Sequence, residues 1–397
     1  MNAAPAFAPA VPPVSDADHI AAWLHLDYTR DLPLVAVRAL LGQFGSPQAV
    51  LAATHSQLAA ITSETAASAI QTAAAPNEGR AERIALALAW LQDAHYQGTR
   101  HILTWDHAAY PAHLLTIADP PLTLFVQGNP AALNQPCVGV VGARNATAQG
   151  IANARVFAQS LADKGVTVVS GMALGIDAAA HEGALLCARP LATVAVIGTG
   201  IDRVYPAAHR DLAHRIAAQG AVVSEFPIGT PPLPQNFPRR NRLISGLSRG
   251  VLVVEAALRS GSLITARVAG EQGREVLAIP GSIHAPLSKG CHLLIKQGAK
   301  LVESAQDVME ELRMDAPQLP LETFAAEGEG APDAENFTSK SAPNDPVLAA
   351  LSDAPSSLDQ IAQATGLPIA HIMARLTELE LFGEVAIVAG ARYQKLG

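Results

Sequence analysis

The sequence predicts an α/β fold built on a doubly wound parallel sheet, with a helical segment before it and a winged helix after it. Three observations carry this prediction. Short β-branched runs alternate with amphipathic stretches between Pro136 and Val302. The pattern before them, over residues 16–97, is helical with short breaks. The last fifty residues have the order helix, helix, helix, hairpin.

The chain has 397 residues, enough for two or three domains. Hydrophobic residues make up 49% and charged residues 16%, and the mean hydropathy is +0.21. A chain of this composition builds a sizeable core, which excludes global disorder. Residues 1–15, MNAAPAFAPAVPPVS, read as a disordered tail. Their prolines interrupt any apolar run and no basic residue precedes one, so a signal peptide is not expected. Neither is a membrane span, because no apolar run reaches the required length.

Within 16–97, helices are expected over Ile20–Leu26, Leu32–Phe44, Ser46–Ala53, Ser56–Ile61 and Arg80–Tyr96. Ser46-Pro47 and Thr54 read as helix starts, with Pro47 at the first helical position. The Leu41-Gly42-Gln43-Phe44-Gly45 turn is similar to turns in compact SAM-like helical modules. Residues 98–313 are assigned to the α/β core. Its strands are Val138–Val141, Val166–Val169, Thr193–Ile197, Ala221–Ser224, Val251–Val254 and Val276–Ile279. Continuous apolar strands separated by helices imply a parallel sheet covered on both faces. Ligands then bind at the carboxyl ends of the strands. Residues 314–345 read as an acidic flexible linker. Residues 346–397 close the chain as the winged helix, and Ser357 with Gln360 suits a capping box.

Charge is unevenly distributed. The formal net charge is −8, yet residues 131–313 hold 18 of the 27 Lys and Arg and 13 of the 35 Asp and Glu, a local balance of +5. Arg239, Arg240 and Arg242 fall within four positions. Guanidinium forks match phosphate oxygens bidentately, so this cluster points to a polyanionic partner. Cys137, Cys187 and Cys291 are far apart and form no CxxC or Cys/His cluster, which argues against a zinc site or a disulfide framework. A reducing, cytoplasmic setting is expected, with no metal or cofactor.

Gly139-Val-Val-Gly142-Ala-Arg144 follows the first core strand. Glycine at such a turn lets backbone N–H groups approach a phosphate. The spacing is not GxGxxG, and the next strand ends at Ser170-Gly171 rather than at an acidic residue, so NAD is not expected. No GxxxxGK[ST] is present, which excludes a P-loop. Asp177 and His181, four apart on a helix, read as a local hydrogen bond that orders the pocket. Ser260-Gly261-Ser262-x-x-Thr265 opens another helix as an anion site. Several phosphate-compatible turns on one sheet edge suit an oligonucleotide better than one nucleotide. The alternatives are a nucleotide hydrolase with Glu225 or Glu255 as acid or base, though without a PGGxGT signature, and a small-nucleotide sensor.

These motifs follow one another in a distinctive order. Tyr110-Pro111, Asp119-Pro120-Pro121, Leu124-Phe125-x-x-Gly128, Val141-Gly142-Ala143-Arg144 and Ser170-Gly171-x-Ala173-x-Gly175-Ile176-Asp177-x-x-x-His181 come first. Gly198-x-Gly200, Tyr205-Pro206, Ser224-Glu225, Phe237-Pro238-x-Arg240-Asn241-Arg242, Ser260-Gly261-Ser262-x-x-Thr265-Ala266 and Pro280-Gly281 complete the series. From Tyr110 to Val302 the chain closely resembles the DprA/Smf family of DNA-processing proteins of natural transformation. The resemblance implies an extended Rossmann-like core that binds single-stranded DNA without sequence preference. It also implies homodimers through that core and loading of the RecA recombinase on incoming strands. Carried onto this chain, it marks Gly142, Arg144, Ser170, Gly171, Phe237, Arg240, Asn241, Arg242, Gly261, Ser262 and Thr265 as DNA-binding. Arg144, Arg240 and Arg242 are expected on phosphates, the glycines give backbone access, and Phe237 is the one ring expected to stack a base. Lys164, Lys289, Lys296 and Lys300 have no place assigned in the groove. The third helix of the winged helix holds Arg375 and His371 against Glu378 and Glu380, which favours a protein contact over duplex DNA.

Overall fold

The structure is a computed structural model that describes residues 16–29, 32–75, 77–314, 345–351, 356–367, 371–372, 375–376, 379, 385–388 and 392–395. The expected tail and linker lie outside the described residues, apart from Met314 and Asp345. The chain divides into two compact units, Met1–Leu319 and Pro320–Gly397.

The first unit begins with six helices, α1 (Asp16–Asp27), α2 (Leu34–Phe44), α3 (Pro47–Ala52), α4 (His55–Ala59), α5 (Glu64–Ala74) and α6 (Glu78–Gln92). Local chemistry sets their starts. The Ser46 side chain accepts from Ala49 N with Pro47 in the first turn, and Thr54 and Gln57 form a reciprocal capping box. Helix α5 escaped the sequence reading. Its buried stripe is Ala66, Ala67, Ile70 and Ala73, too small to register as hydrophobic periodicity. Ser63 still starts it by accepting from Ala66 N.

Nine strands form one sheet: β1 (Arg100–Thr104), β2 (Thr123–Gly128), β3 (Cys137–Val141), β4 (Thr167–Ser170), β5 (Thr193–Val196), β6 (Ala221–Ser224), β7 (Gly250–Val253), β8 (Glu275–Ala278) and β9 (Lys300–Leu301). Their order is β1-β2-β6-β5-β4-β3-β7-β8-β9. From β6 to β9 all neighbours run parallel, as expected, with Val138 beside Gly250 and Val141 beside Val253 across β3 and β7. The chain winds outward from β3 through β4, β5 and β6, then returns to the other side of β3 for β7, β8 and β9. Strands β1 and β2 add an antiparallel pair at the β6 edge. Helices α7 (Ala112–Leu115), α8 (Ala148–Asp163), α9 (Ile176–Ala184), α10 (Arg210–Gln219), α11 (Asn236–Leu247), α12 (Gly261–Glu271), α13 (Lys289–Lys296) and α14 (Ala305–Glu311) connect the strands.

The helical segment 16–97 is not a free-standing module. Leu24 of α1, Tyr28 just after it, and Ile84, Ala87 and Trp90 of α6 share one buried core with Ile102, Phe125, Ala195 and Val222 of the sheet. The Trp90 ring meets Phe125 edge-on at 5.8 Å. The boundary expected near residue 98 is therefore crossed by continuous packing. Among the described residues, no helix is long and apolar enough to cross a membrane.

In the second unit, α15 (Pro346–Ala349) and α16 (Leu358–Thr365) pack with a small sheet of order β10-β12-β11, with β10 at Ser356–Ser357, β11 at Val385–Val388 and β12 at Arg392–Lys395. The Ser357–Gln360 capping box is present. Residues 371, 372, 375, 376 and 379 are helical. Ile372, Leu376 and Leu379 bury against Val347, Leu351, Ile361 and Val385, which completes the core of the winged helix.

Asp27 ties α1 to the sheet: its Oδ2 accepts from Thr123 Oγ1 at 2.5 Å. Burial pushes its carboxyl up to about 7, and the nearby Glu225 adds to the rise. Between the ordinary value of 3.8 and about 7 the folded chain holds a proton that the unfolded chain has released. Stability from this site is therefore full below that window and falls as the pH rises through it. Asp27→Asn keeps an acceptor for Thr123 but cannot ionise. Its melting temperature relative to the parent is expected to rise between about pH 4 and 7; a constant difference would remove Asp27 as the source.

Candidate nucleic-acid interface

The winding direction reverses between β3 and β7, so the loops that leave their carboxyl ends diverge and open a crevice. A cavity of about 680 Å³ lies there. The turn Val141–Asn145 after β3 forms one wall, and Arg259–Ser262 with Thr265, after β7, forms another. Ala173 and Asp177 come from beyond β4, Tyr205 from beyond β5, and Phe237, Pro238, Arg240 and Asn241 from the first turns of α11. Five separate connections thus converge on one edge of the sheet.

The rim is cationic and aromatic. Arg144 is exposed, with its guanidinium carbon 5.9 Å from the Phe237 ring centre. The Phe237 and Tyr205 rings lie 5.5 Å apart at 44°. Gly198 makes room for this pair, because a Cβ there would meet Phe237 Cδ1 at 2.9 Å. The sequence reading counted one ring, and the structure brings two. Tyr205 is 49% exposed, and its signal in the sequence was the Tyr205-Pro206 motif. Arg259 was also missed. It is exposed on the cavity wall and, like Arg144, has no ion-pair partner among the described residues.

The floor is a buried charge arrangement. Arg240 is only 4% exposed, and its Nη1 donates to Val196 O at 2.8 Å. Its Nε has no partner among the described residues. Burial lowers this guanidinium to about 10, against the opposing pull of Asp177, so it remains a cation at neutral pH. Burial raises the Asp177 carboxyl, while Arg240 and the backbone N–H groups of Ala173 and Gly171 counter the rise. His181 does not pair with Asp177. It turns into the core, where its Nδ1 lies 2.7 Å from Thr193 Oγ1, and burial pulls its imidazole down to about 3. The hydrogen bond expected between these two residues does not form among the described residues, because each is engaged elsewhere: Asp177 Oδ2 accepts from Ala173 N at 3.3 Å, and His181 turns to Thr193.

Of the eleven site residues named from sequence, Gly142, Arg144, Phe237, Arg240, Asn241, Gly261, Ser262 and Thr265 line the cavity. Ser170, Gly171 and Arg242 do not. Ser170 is fully buried and donates from Oγ to Val140 O at 2.6 Å, joining β3 to β4. Gly171 is glycine because a Cβ would fall inside the Arg240 guanidinium. Gly142 is likewise fixed by the protein: a Cβ would meet Ile176 at 2.6 Å and Glu255 O at 2.9 Å. A Cβ at Gly261 meets open space. Ser260 starts α12, and its Oγ lies 2.7 Å from Ser262 Oγ.

Arg242 is the clearest correction. Its Nη1 and Nη2 reach the two Glu225 oxygens at 2.9 and 2.7 Å, and its Nε donates to Asp119 at 3.1 Å. Its side chain is 12% exposed and that of Glu225 is 2% exposed, so the fork holds a buried carboxylate rather than a phosphate. Arg239 joins Glu225 from the surface at 3.3 Å. Glu255 accepts from Thr147 N at 2.9 Å and Thr147 Oγ1 at 2.5 Å. Neither acid proposed for the hydrolase alternative lines the cavity. Lys164 bonds Gln306, and Lys300 pairs with Glu311. In the second unit Arg375 Nε donates to Asp345 at 2.5 Å, so its guanidinium is already engaged, while His371 is exposed.

Comparison with known proteins agrees with this architecture. The family described as DNA recombination-mediator protein A matches residues 101–313, and the DprA winged helix domain matches residues 331–391. Protein Smf of Escherichia coli is 44% identical over 311 residues, covering 77% of this chain and 79% of that protein. The DNA processing protein DprA of Streptococcus pneumoniae is 50% identical over 202 residues, 51% of this chain and 71% of that protein. The X-ray structure of S. pneumoniae DprA is similar with a TM-score of 0.61 at 35% identity, over 75% of this chain and 98% of that one. DNA processing protein A of Helicobacter pylori, whose structure concerns its single-stranded DNA binding mode, is similar with a TM-score of 0.50 at 29% identity, over 56% of this chain and 98% of that one.

The two kinds of arginine separate by stability. Removing Arg242 leaves the buried Glu225 carboxylate without its fork, so Arg242→Ala is expected to cost about 3–5 kcal/mol in urea denaturation. Arg144→Ala, at an exposed position, is expected to stay within about 0.5 kcal/mol of the parent. Equal effects would contradict the assignment.

Proposed function

Because the chain belongs to the DNA recombination-mediator protein A (DprA/Smf) family, we propose that it binds single-stranded DNA at the cavity between β3 and β7. The observation that carries this reading is the rim itself. Arg144 and Arg259 stand there without an ion pair among the described residues, and Arg144 lies beside the Tyr205–Phe237 ring pair. Free guanidinium forks suit phosphate oxygens, and exposed rings suit stacking by any base. Together they give strand binding without sequence preference. The buried Arg240 adds positive potential from below, and Asn241, Ser262 and Thr265 offer neutral polar groups on the walls.

Binding of this kind is non-catalytic. Glu225 and Glu255, the acids a nucleotide hydrolase would need, are held by Arg242 and Thr147. The resemblance supports protection of incoming DNA and loading of RecA during transformation and recombination, with a homodimer formed through the α/β core and a cytoplasmic setting. The winged helix is better suited to a protein contact than to duplex DNA, since Arg375 is paired with Asp345.

Fluorescence anisotropy of the full chain, with matched single-stranded and duplex oligonucleotides at several salt concentrations, tests the reading. The expected result is strand-selective binding that weakens steeply with salt. Arg144→Ala should flatten the log–log salt slope by about 0.7, the value of one lost single-strand phosphate contact. Tyr205→Ala and Phe237→Ala should each cost about 1–3 kcal/mol of binding with the slope preserved. No strand binding at low salt would sink the proposal.

A further inference from the structure

A second anion-compatible groove lies far in sequence from the sheet edge. The helical segment 16–97 holds four arginines and eight acidic residues. Two of those arginines, Arg80 and Arg83, nevertheless meet in one groove of about 710 Å³ with no carboxylate partner among the described residues. Its opposite wall is α5, which presents Thr65, Ser68 and Thr72 at spacings of three and four. That spacing puts three exposed hydroxyl residues in a row on one helix face, about 10 Å long.

Internal structure uses part of this groove: Thr72 Oγ1 donates to Ser68 O at 2.8 Å, and Ser68 Oγ lies 3.2 Å from His55 Nε2. Arg80 Nη1 donates to Ala73 O at 2.6 Å and so caps the end of α5, but its Nε is buried without a partner among the described residues. Arg83 places its guanidinium 5.1 Å from the Tyr28 ring centre, and its Nε donates to Gly79 O at 3.2 Å. Tyr28 also lines the groove; it is 8% exposed, and its buried hydroxyl has no partner among the described residues. Burial and the neighbouring Asp27 raise that phenol, which keeps it a donor. Burial and the like charge of Arg83 lower the Arg80 guanidinium. Two adjacent guanidinium forks beside the hydroxyl-bearing face of α5 form a donor set for a phosphoryl oxyanion. The row is longer than a single phosphate, which favours a chain of them.

We propose that the groove formed by Tyr28, the Thr65–Thr72 face of α5 and Arg80–Arg83 of α6 binds backbone phosphates of a nucleic-acid strand, as a contact separate from the sheet-edge cavity. This rests on the reading of the chain as a single-strand binder.

The test uses the full chain with Arg83→Ala, because Arg83 is exposed and Arg80 supports α5. Oligo(dT) of about 6 and about 30 nucleotides is titrated over a range of salt. The expected result is a several-fold loss on the long strand, with a salt slope flatter by about 0.7, and unchanged affinity on the short one. Equal binding of both lengths by variant and parent would overturn the proposal. A second arm compares thermal midpoints in inorganic phosphate and in chloride at matched ionic strength. Phosphate should stabilise the parent more than Arg83→Glu; equal stabilisation counts against the groove as an oxyanion site. Phosphate stabilisation lost in Arg83→Glu, with no length-dependent effect on oligo(dT), would reject the strand as occupant. A parent that binds neither oligonucleotide would fail the sheet-edge reading, and the phosphate arm would then reject or retain the oxyanion chemistry by itself.

Discussion

The reversal of strand order at β3 is the constraint from which the site follows. Parallel strands joined by right-handed crossovers must place successive helices on one face until the direction of winding changes. At that change, two neighbouring loops leave in opposite directions and cannot cover the gap between them. Here the gap lies beyond Val141 and Val253, which are partners across β3 and β7. The two turns bring Arg144 from one side and Arg259 from the other.

A crevice is useful only if its walls hold still, and α11 is the wall that must be fixed most firmly. It carries Phe237, Arg240 and Asn241 into the cavity. The same helix sends Arg242 the other way, onto Glu225 at the end of β6 and Asp119 before β2. A buried bidentate pair contributes little net stability beside an apolar alternative, but it is costly to break and strongly directional. It therefore sets the position and rotation of α11. Arg240, two residues earlier, is fixed by Val196 O and by the absence of a Cβ at Gly171. The arginine cluster thus serves two structural anchorages.

How far the sequence is legible depends on how far apart the interacting residues lie. The six central strands and most helices could be read, because β-branched runs and caps are local signals. The capping boxes at Thr54 and Ser357 are of this kind. Strands β1 and β2 could not be read, since their role as an antiparallel edge depends on pairing between Phe125 and Ser224. The glycines announced close approach without saying to what. At Gly171 the neighbour is a side chain from α11, and at Gly142 it is Ile176 and the Glu255 carbonyl. Arg242 looked like a phosphate ligand because its partners, Glu225 and Asp119, lie 17 and 123 positions away. Tyr205 and Arg259 were missed for the same reason: only the fold brings their connections to the cavity.

Pairing also resolves how an acidic chain can present the proposed site for a polyanion. The local balance of +5 is not the relevant quantity, since several of those cations are neutralised where they stand. Arg242, Arg239, Arg155, Arg267 and Lys300 all meet carboxylates. Among the described residues Arg144 and Arg259 form no ion pair, and Arg240 is held near Asp177 in a setting where solvent screens little. The remaining acidic residues act from farther away, and exposed charges beyond about 8 Å are largely screened at physiological ionic strength. A strand at the cavity would therefore sense a few unpaired guanidinium groups rather than the net charge of −8. Which arginines stay unpaired is decided by tertiary structure, so the electrostatics of this site are a property of the fold and not of the composition.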